Sequence, residues 1–465
     1  MNFKLIMKNW IIGSLFLSVV VGSCTSQPVK SQKQEPLTLS QSDKDLLDLV
    51  QKQTIKYFWD YAEPSSLMGQ ERFHENGVYP FNDSHVITTG GSGFGLMGLL
   101  VGVERGFIPR DKAVERLHHI AEFLASSERF HGAWSHWIDG KTGKAVPFGK
   151  KDDGGDLVET AFLVQGLITV REYFKDGSAR EKELAQKMDA LWKGVEWDWY
   201  TKGGEKVLYW HWSKNYGWDM NFALEGYNEC LITYILAASS PTHPIDKETY
   251  EKGWTRSGTY TTDHKKYDLP LYVKHNGANE YGGPLFWAQY SYLGLDPTGL
   301  KDNQIDNYFD LNRNHVLVSY NYALENPKQY KGYGPNYWGM TASYTRNEDG
   351  TVGYTAHMPT NDHGVISPTA ALSSFPYTPK ESMDVLRFLY NEKPEFIGKA
   401  GPYDATSIHY DNWTTPRYLA IDQGTIAPMI ENYRTGLLWN LFMNAPDIRA
   451  GLKKLDFKSE KHHLN

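Results

Sequence analysis

The sequence predicts an all-α fold, an (α/α)6 toroid of six helical hairpins with long loops forming a cleft at one end. Three observations carry that expectation. Apolar residues recur at helical spacing in about a dozen segments spread along the chain. Strand-like alternation is scarce, with 206–212 and 351–356 the best candidates for short hairpins. Long loops rich in Gly and aromatic residues alternate with short ones, as hairpins closed in a ring require. An irregular helical bundle or an α-solenoid is the alternative, and a solenoid needs a repeat period that the chain lacks.

The elements follow in order. Lys4 and Lys8 precede an apolar stretch, 10–21, too short to span a bilayer. Val21-Gly22-Ser23-Cys24 then runs small residues into a cysteine, which resembles a bacterial lipoprotein signal. The expectation is a signal peptide over 1–23, lipidation of Cys24 and a polar, proline-containing tether over 24–40. The mature protein would then hang by an acyl anchor as a membrane lipoprotein, on the periplasmic or cell-surface side of the outer membrane. A single catalytic domain over 41–452 and a tail over 453–465 complete the chain, because no Pro/Ser/Gly-rich linker divides the body.

Within that body, 42–61 opens on a Ser/Asp cap and lines up Leu46, Leu47, Val50, Ile55, Phe58 and Trp59 at helical spacing. The segment 92–105 is apolar and glycine-rich, suited to close packing. Helices are then predicted over 110–127, 156–174, 179–195, 221–238, 246–253 and 284–290. Further helices are predicted over 302–326, 365–372, 379–391, 425–440 and 446–452.

Composition narrows the function. Cys230 is the one cysteine left in the body, which rules out a disulfide framework within the chain and disfavours a cysteine metal site. A formal charge of −7 argues against nucleic acid and polyanionic ligands. No H-E-x-x-H and no G-x-x-x-x-G-K-[ST] occurs, so neither metal nor cofactor is expected, and a monomer is. The 15 Trp and 30 Tyr pair broad apolar faces with polar edges, which suits sugar rings in a wet groove and equally suits a large helical core.

The densest chemistry is KKDDGGDLVETA, 150–161, where Asp152, Asp153, Asp156 and Glu159 crowd around two glycines. Asp156 and Glu159 fit a capping box ahead of an apolar run. The same loop also supplies what glycoside hydrolysis needs: two carboxyls in different environments, one protonated to serve the leaving oxygen and one ionised. Three further junctions join carboxylates or amides with Trp and His. They are 131–137, with Trp134, His136 and Trp137; 210–229, with Trp212, Glu225 and Glu229; and 422–434, with Asp422, Gln423, Glu431 and Arg434. Trp338 stands in a weaker Gly/Pro loop, and 359–364 adds Asp362 and His363. Glu225 and Glu229 are one helical turn apart, and Glu229 runs into an apolar segment where an acid is costly unless paired or useful.

Five ordered motifs then carry a resemblance: FNDSHVITTGGSGFGLMGLLVGVERGFIPR, RFHGAWSHWIDGKTGK, DDGGDLVETAFLVQGL, NFALEGYNECLITYILA and DQGTIAPMIENYRTGLLWNLFM. Together, over roughly 40–450, the chain resembles the glucoamylase-like lipoproteins of Bacteroidetes and is most similar to the β-1,2-glucanases of glycoside hydrolase family 144. The resemblance implies an (α/α)6 barrel that cleaves β-1,2-glucan with inversion, internally or by releasing sophorose. It also implies two catalytic aspartates four apart and a glutamate in a later loop. Asp152 and Asp156 meet that spacing, Asp153 competes with Asp152, and Glu229 matches the glutamate. Trp134, Trp137, Trp212 and Trp338 would stack glucosyl rings, while His136, Glu225, Gln423 and Arg434 would bind substrate. Another β- or α-glucan on the same toroid, or a glycan-binding lipoprotein without turnover, are the competing readings.

Overall fold

The computed structural model describes residues 37–465, so the predicted signal, Cys24 and nearly all of the tether lie outside the described residues. The helices are α1 Gln41–Trp59, α2 Thr89–Glu104, α3 Arg110–Ser126, α4 Leu157–Phe174, α5 Ala179–Lys193, α6 Leu231–Ser239 and α7 Lys247–Thr249. They continue with α8 Tyr308–Glu325, α9 Pro368–Leu372, α10 Pro379–Glu392, α11 Ala420–Arg434, α12 Leu437–Asn444 and α13 Pro446–Lys454. Among the described residues no helix is long and apolar enough to cross a membrane.

Two kinds of helix divide the work. α2, α4 and α6 are buried on nearly every side, as their unbroken apolar runs require. α3, α5 and α10 bury one stripe each: α3 lies against α2, α5 against α4, and α10 against α9 and α1. Capping boxes start α1 (Ser40 with Asp43) and α5 (Ser178 with Glu181), and prolines start α9, α10 and α13. α2 packs on α4, α11 and α1, α4 also packs on α5 and α6, and α9 packs on α10 and α11. Glycine makes the central contact possible: a Cβ on Gly93 would lie 2.3 Å from the Phe162 carbonyl oxygen and 2.5 Å from the Leu163 Cα.

Several predicted elements differ. Only the second half of 221–238 is helical, because Asn221 and Gly226 adopt left-handed backbone and hold 221–230 as a loop. Glu225 and Glu229 therefore do not share a helical face. The stretch 425–440 is two helices, broken where Gly436 takes φ +70°. The first of them begins earlier than predicted, at Ala420. The region 284–290 forms 3₁₀ turns, Leu285–Ala288 and Tyr290–Tyr292, and 246–253 yields only α7 and a wide turn, Tyr250–Trp254. α8 starts at Tyr308, where Asn307 accepts the first free N–H groups.

The all-α expectation also omits the short strands that give the long loops their backbone hydrogen bonds. β1 Arg72–His74 pairs with Arg417–Leu419. β2 Val86–Thr88, β3 Trp137–Asp139 and β4 Ala145–Val146 form a small sheet. β5 Gly155–Asp156 pairs with β6 His211–Trp212, so 206–212 bonds across the molecule instead of folding on itself. Val352–Ala356 does form a hairpin, with Ala342–Arg346.

The Gly93 contact sets a stability test. Gly93→Ala is expected to destabilise the protein by about 1–3 kcal/mol, since backbone atoms cannot turn aside. Gly98→Ala on the same helix meets nothing nearer than an Ile55 atom at 4.0 Å and should be neutral or slightly stabilising. Urea unfolding midpoints of the two variants check the difference.

Candidate active site

The loops at the N-terminal ends of α2, α4, α6 and α11 enclose a cavity of about 780 Å³. Its organising residue is Asp156, the last residue of β5 and the N-cap of α4. One carboxylate oxygen accepts the Val158 and Glu159 backbone N–H groups, both at 2.9 Å. The other accepts His136 Nδ1–H at 2.8 Å. Three donors and a helix N-terminus suit a negative charge there. The predicted cap is thus present, but its return bond is not: Glu159 Oε2 accepts the Gly90 N–H at 2.8 Å and reaches the cavity wall. Gly154 is required where the loop crosses β6, since a Cβ would lie 2.1 Å from the Trp212 carbonyl oxygen.

Asp152 sits buried near this pair but off the cavity wall. Its Oδ1 is 3.3 Å from His211 Nε2, yet that nitrogen accepts the Gly154 N–H at 3.1 Å and so has no proton to give. Neither Asp152 oxygen finds a donor. Burial, followed by the charge of Asp156, pushes Asp152 up to about 7. Burial likewise pushes Glu159 up to about 7, against the pull of His136. Glu229 also reaches about 7, through burial and then repulsion from Glu159 and Asp156. Burial works against a proton on His136, but Glu159, Asp156 and Asp152 outweigh it and hold the imidazole up at about 9. The cavity therefore combines a cationic imidazole with acids poised to keep protons near neutrality, the separation of roles that acid–base chemistry needs.

His136, Asp152 and Asp156 present donor atoms within 4.8 Å of one another, the spacing a metal ion would use. Two of the three are committed: His136 Nδ1 and Asp156 Oδ2 bond each other, and Asp156 Oδ1 serves the α4 backbone. The cluster reads as a hydrogen-bonded array.

Of the predicted residues, His136, Trp137, Asp156 and Glu229 meet at this cavity. Asp153 turns outward, accepting from Asn215 Nδ2 at 2.6 Å. Trp134 and Trp338 are wholly buried, their indole N–H groups donating to the Leu124 and Glu381 carbonyls. Trp212 packs edge-on against His131 and Trp199, off the cavity. Glu225 pairs with Arg256 at 3.2 Å on the surface. Gln423 is buried and donates to the Ala400 carbonyl. Arg434, in the last turn of α11, binds Asp48 and Gln51, far along that helix from the residues that line the cavity.

The cavity also takes in residues beyond the predicted site set. Glu71, half-buried and pushed upward, bonds Arg72, whose guanidinium stands 5.7 Å from the Trp137 ring. Trp210, Trp287, Phe286 and Tyr290 add aromatic wall, and Phe148 stacks on His136 at 4.1 Å. Trp210 had a local signal, its place beside His211 in an aromatic-rich loop; Glu71 and Arg72 had none.

A helical body whose loops bring acids and aromatic rings to one cavity has the build of a carbohydrate-active protein. The chain belongs to the glucoamylase-like family: the family description "Putative glucoamylase" matches residues 221–446. The endo-β-1,2-glucanase of Chitinophaga pinensis, solved with sophorotriose and glucose, is 56% identical with a TM-score of 0.87, over 91% of this chain and 99% of that one. An exo β-1,2-glucooligosaccharide sophorohydrolase (non-reducing end) of Parabacteroides distasonis is 43% identical over 443 residues. That match takes in 91% of this chain, which spans 60% of the length of this curated relative. The endo-β-1,2-glucanase of Talaromyces funiculosus, 11% identical with a TM-score of 0.64 over 90% of this chain and 89% of that one, shares the fold.

The raised Glu229 carboxyl has a stability consequence. The folded protein holds that proton from the ordinary value of 4.5 up to about 7, whereas the unfolded chain has released it. The stability linked to it is therefore complete at acid pH and declines as pH rises toward 7. Glu229→Gln should match wild type in acid and exceed it above neutrality, by on the order of 3 kcal/mol. Unfolding midpoints measured on both sides of the transition check this.

Proposed function

We propose that this cavity hydrolyses β-1,2-linked glucan or its oligosaccharides by an inverting, two-carboxylate mechanism. The observation that carries the reading is the meeting of Glu229 with the Asp156–His136 pair and Glu159 on one aromatic-walled cavity. Glu229 comes from a different segment and is held protonated to about 7 by burial, as a proton donor to a leaving oxygen must be. Asp156, supplied with three donors, anchors the side that activates water. The relatives support the bond type, since the names of both bacterial proteins specify β-1,2-linked glucan or its oligosaccharides.

The same reading includes an (α/α)6 toroid. Its support is a sequence of buried neighbours: α2 on α4, α4 on α6, α6 on the Tyr290–Tyr292 turn, then α9, α11 and α2 again. Gln289 bridges the turn to α9 through the Ala370 carbonyl at 2.9 Å. The chain would act as a monomer, tethered through Cys24 at the outer membrane. Support for the tether is the small-residue run ending at that cysteine and the polar segment after it.

Incubation with linear β-1,2-glucan tests the activity. Glu229→Gln and Asp156→Asn should each lower the initial rate by at least about 100-fold. Wild-type turnover should fall as pH rises through about 7, where Glu229 loses its proton. Near wild-type rates in both variants would make these acids structural, and glucan binding without products in the parent would make the protein a binder. NMR of the first anomer released tests inversion, and the first product sizes separate internal cleavage from sophorose release.

A further inference from the structure

A second pair of acids lies beneath the other side of the cavity. Asp422, in the first turn of α11, and Asp404, in the loop before Thr406–Ser407, are 2% and 3% exposed. Each has one oxygen with an evident partner. Asp422 Oδ1 accepts the Tyr290 hydroxyl at 3.2 Å, and Asp404 Oδ2 accepts the Tyr344 backbone N–H at 2.8 Å. The remaining oxygens, Asp422 Oδ2 and Asp404 Oδ1, receive no donor from any other group. The two carboxyls lie within hydrogen-bonding reach of each other. Two carboxylate oxygens in that position repel unless a proton sits between them.

Their partners belong to the cavity. Tyr344 is in the hairpin of Ala342–Arg346 and Val352–Ala356, directly opposite Tyr354, and both tyrosines line the cavity with Tyr290. We propose that Asp404 and Asp422 are positioning residues that share one proton, and that this bond clamps the tyrosine hairpin to the α11 end of the cavity and fixes the Tyr290 hydroxyl. The role rests on the reading of the cavity as a glucan site.

The surroundings favour a retained proton. Burial, then the charge of Asp404, pushes Asp422 well above the ordinary carboxyl range, and burial pushes Asp404 up to about 6. Glu71 adds repulsion to both. Glu159 faces Tyr290, while Arg72 and Arg417 face the Tyr344 ring and supply the positive charge on that side. Because the folded state holds the proton more tightly than the unfolded chain, the clamp is intact at low pH and lost as pH rises past the last ionisation of the pair.

The test follows KM for a β-1,2-gluco-oligosaccharide and amide exchange of 342–356 across a pH series, in wild type, Asp422→Asn and Asp404→Asn. In wild type, KM should rise about fivefold at alkaline pH, the factor of one net hydrogen bond. Exchange of the hairpin, corrected for the intrinsic rate, should accelerate over the same range. In either amide variant an N–H replaces the shared proton at every pH, so both curves should flatten. Asp404→Ala/Asp422→Ala should show raised KM and fast exchange throughout; if it does not fold, the amide variants carry the test. Wild-type pH curves in both amide variants would overturn the proposal. The exchange measurement uses no substrate, so a protein that cleaves no glucan would sink the functional reading and leave the clamp still measurable.

Discussion

The bond on which the rest of the site depends is the one between Asp156 and His136. A carboxylate with no exposed surface is tolerable only with a full set of donors, and Asp156 takes two from the α4 backbone and one from an imidazole. That requirement fixes the geometry around it. α4 must begin at Leu157, the 131–137 loop must bring His136 alongside, and β5 must run into the cap from a glycine that clears β6. The resulting imidazole charge then opposes the rise that burial imposes on Asp152 and Glu159.

The fold serves this constraint by placing its tightest packing under the site. Gly93 and Gly166 let α2 and α4 approach to backbone contact. Each begins near the cavity: α2 contributes the Gly90 N–H that holds Glu159, and α4 contributes the cap that holds Asp156. Helix starts are where free N–H groups occur, so buried helices whose N-termini meet at one cavity can hold several carboxylates there. The acids sit at the end of the body where backbone polarity is least satisfied by the helices themselves.

What the sequence made legible follows from this. Helices with strong signals, such as α1, α3 and α5, appear close to their predicted bounds because caps and stripes are local properties. His136, Trp137, Asp156 and Glu229 were also readable, since unusual residues just ahead of apolar runs mark loop-to-helix junctions. The losses were matters of direction. Trp134 and Trp137 share one loop, and only strand pairing at β3 decides that the first is core and the second cavity wall. Glu225 was tied to Glu229 through a helix that Gly226 prevents. Glu71 and Asp404 lie in loops, and Arg72 in β1, all brought in by distant strand partners, and no local pattern encodes such a meeting.

The two acid groups handle one physical problem in different ways. Around Asp156, negative charge is kept by surrounding it with donors and an imidazole; at Asp404 and Asp422 no cation bonds either carboxyl, and a proton takes the place of one. The difference matches what each group touches. The first borders the cavity directly, where a change of protonation is useful to chemistry; the second bears on it through Tyr290 and Tyr344, where a change of protonation would move the wall. A cavity lined by several buried acids cannot ionise them all, because each new charge raises the cost of the next. Their distribution between donor-rich and donor-poor positions therefore fixes where charge resides, and Glu229, on the cavity wall and pushed up by burial, keeps its proton to about 7.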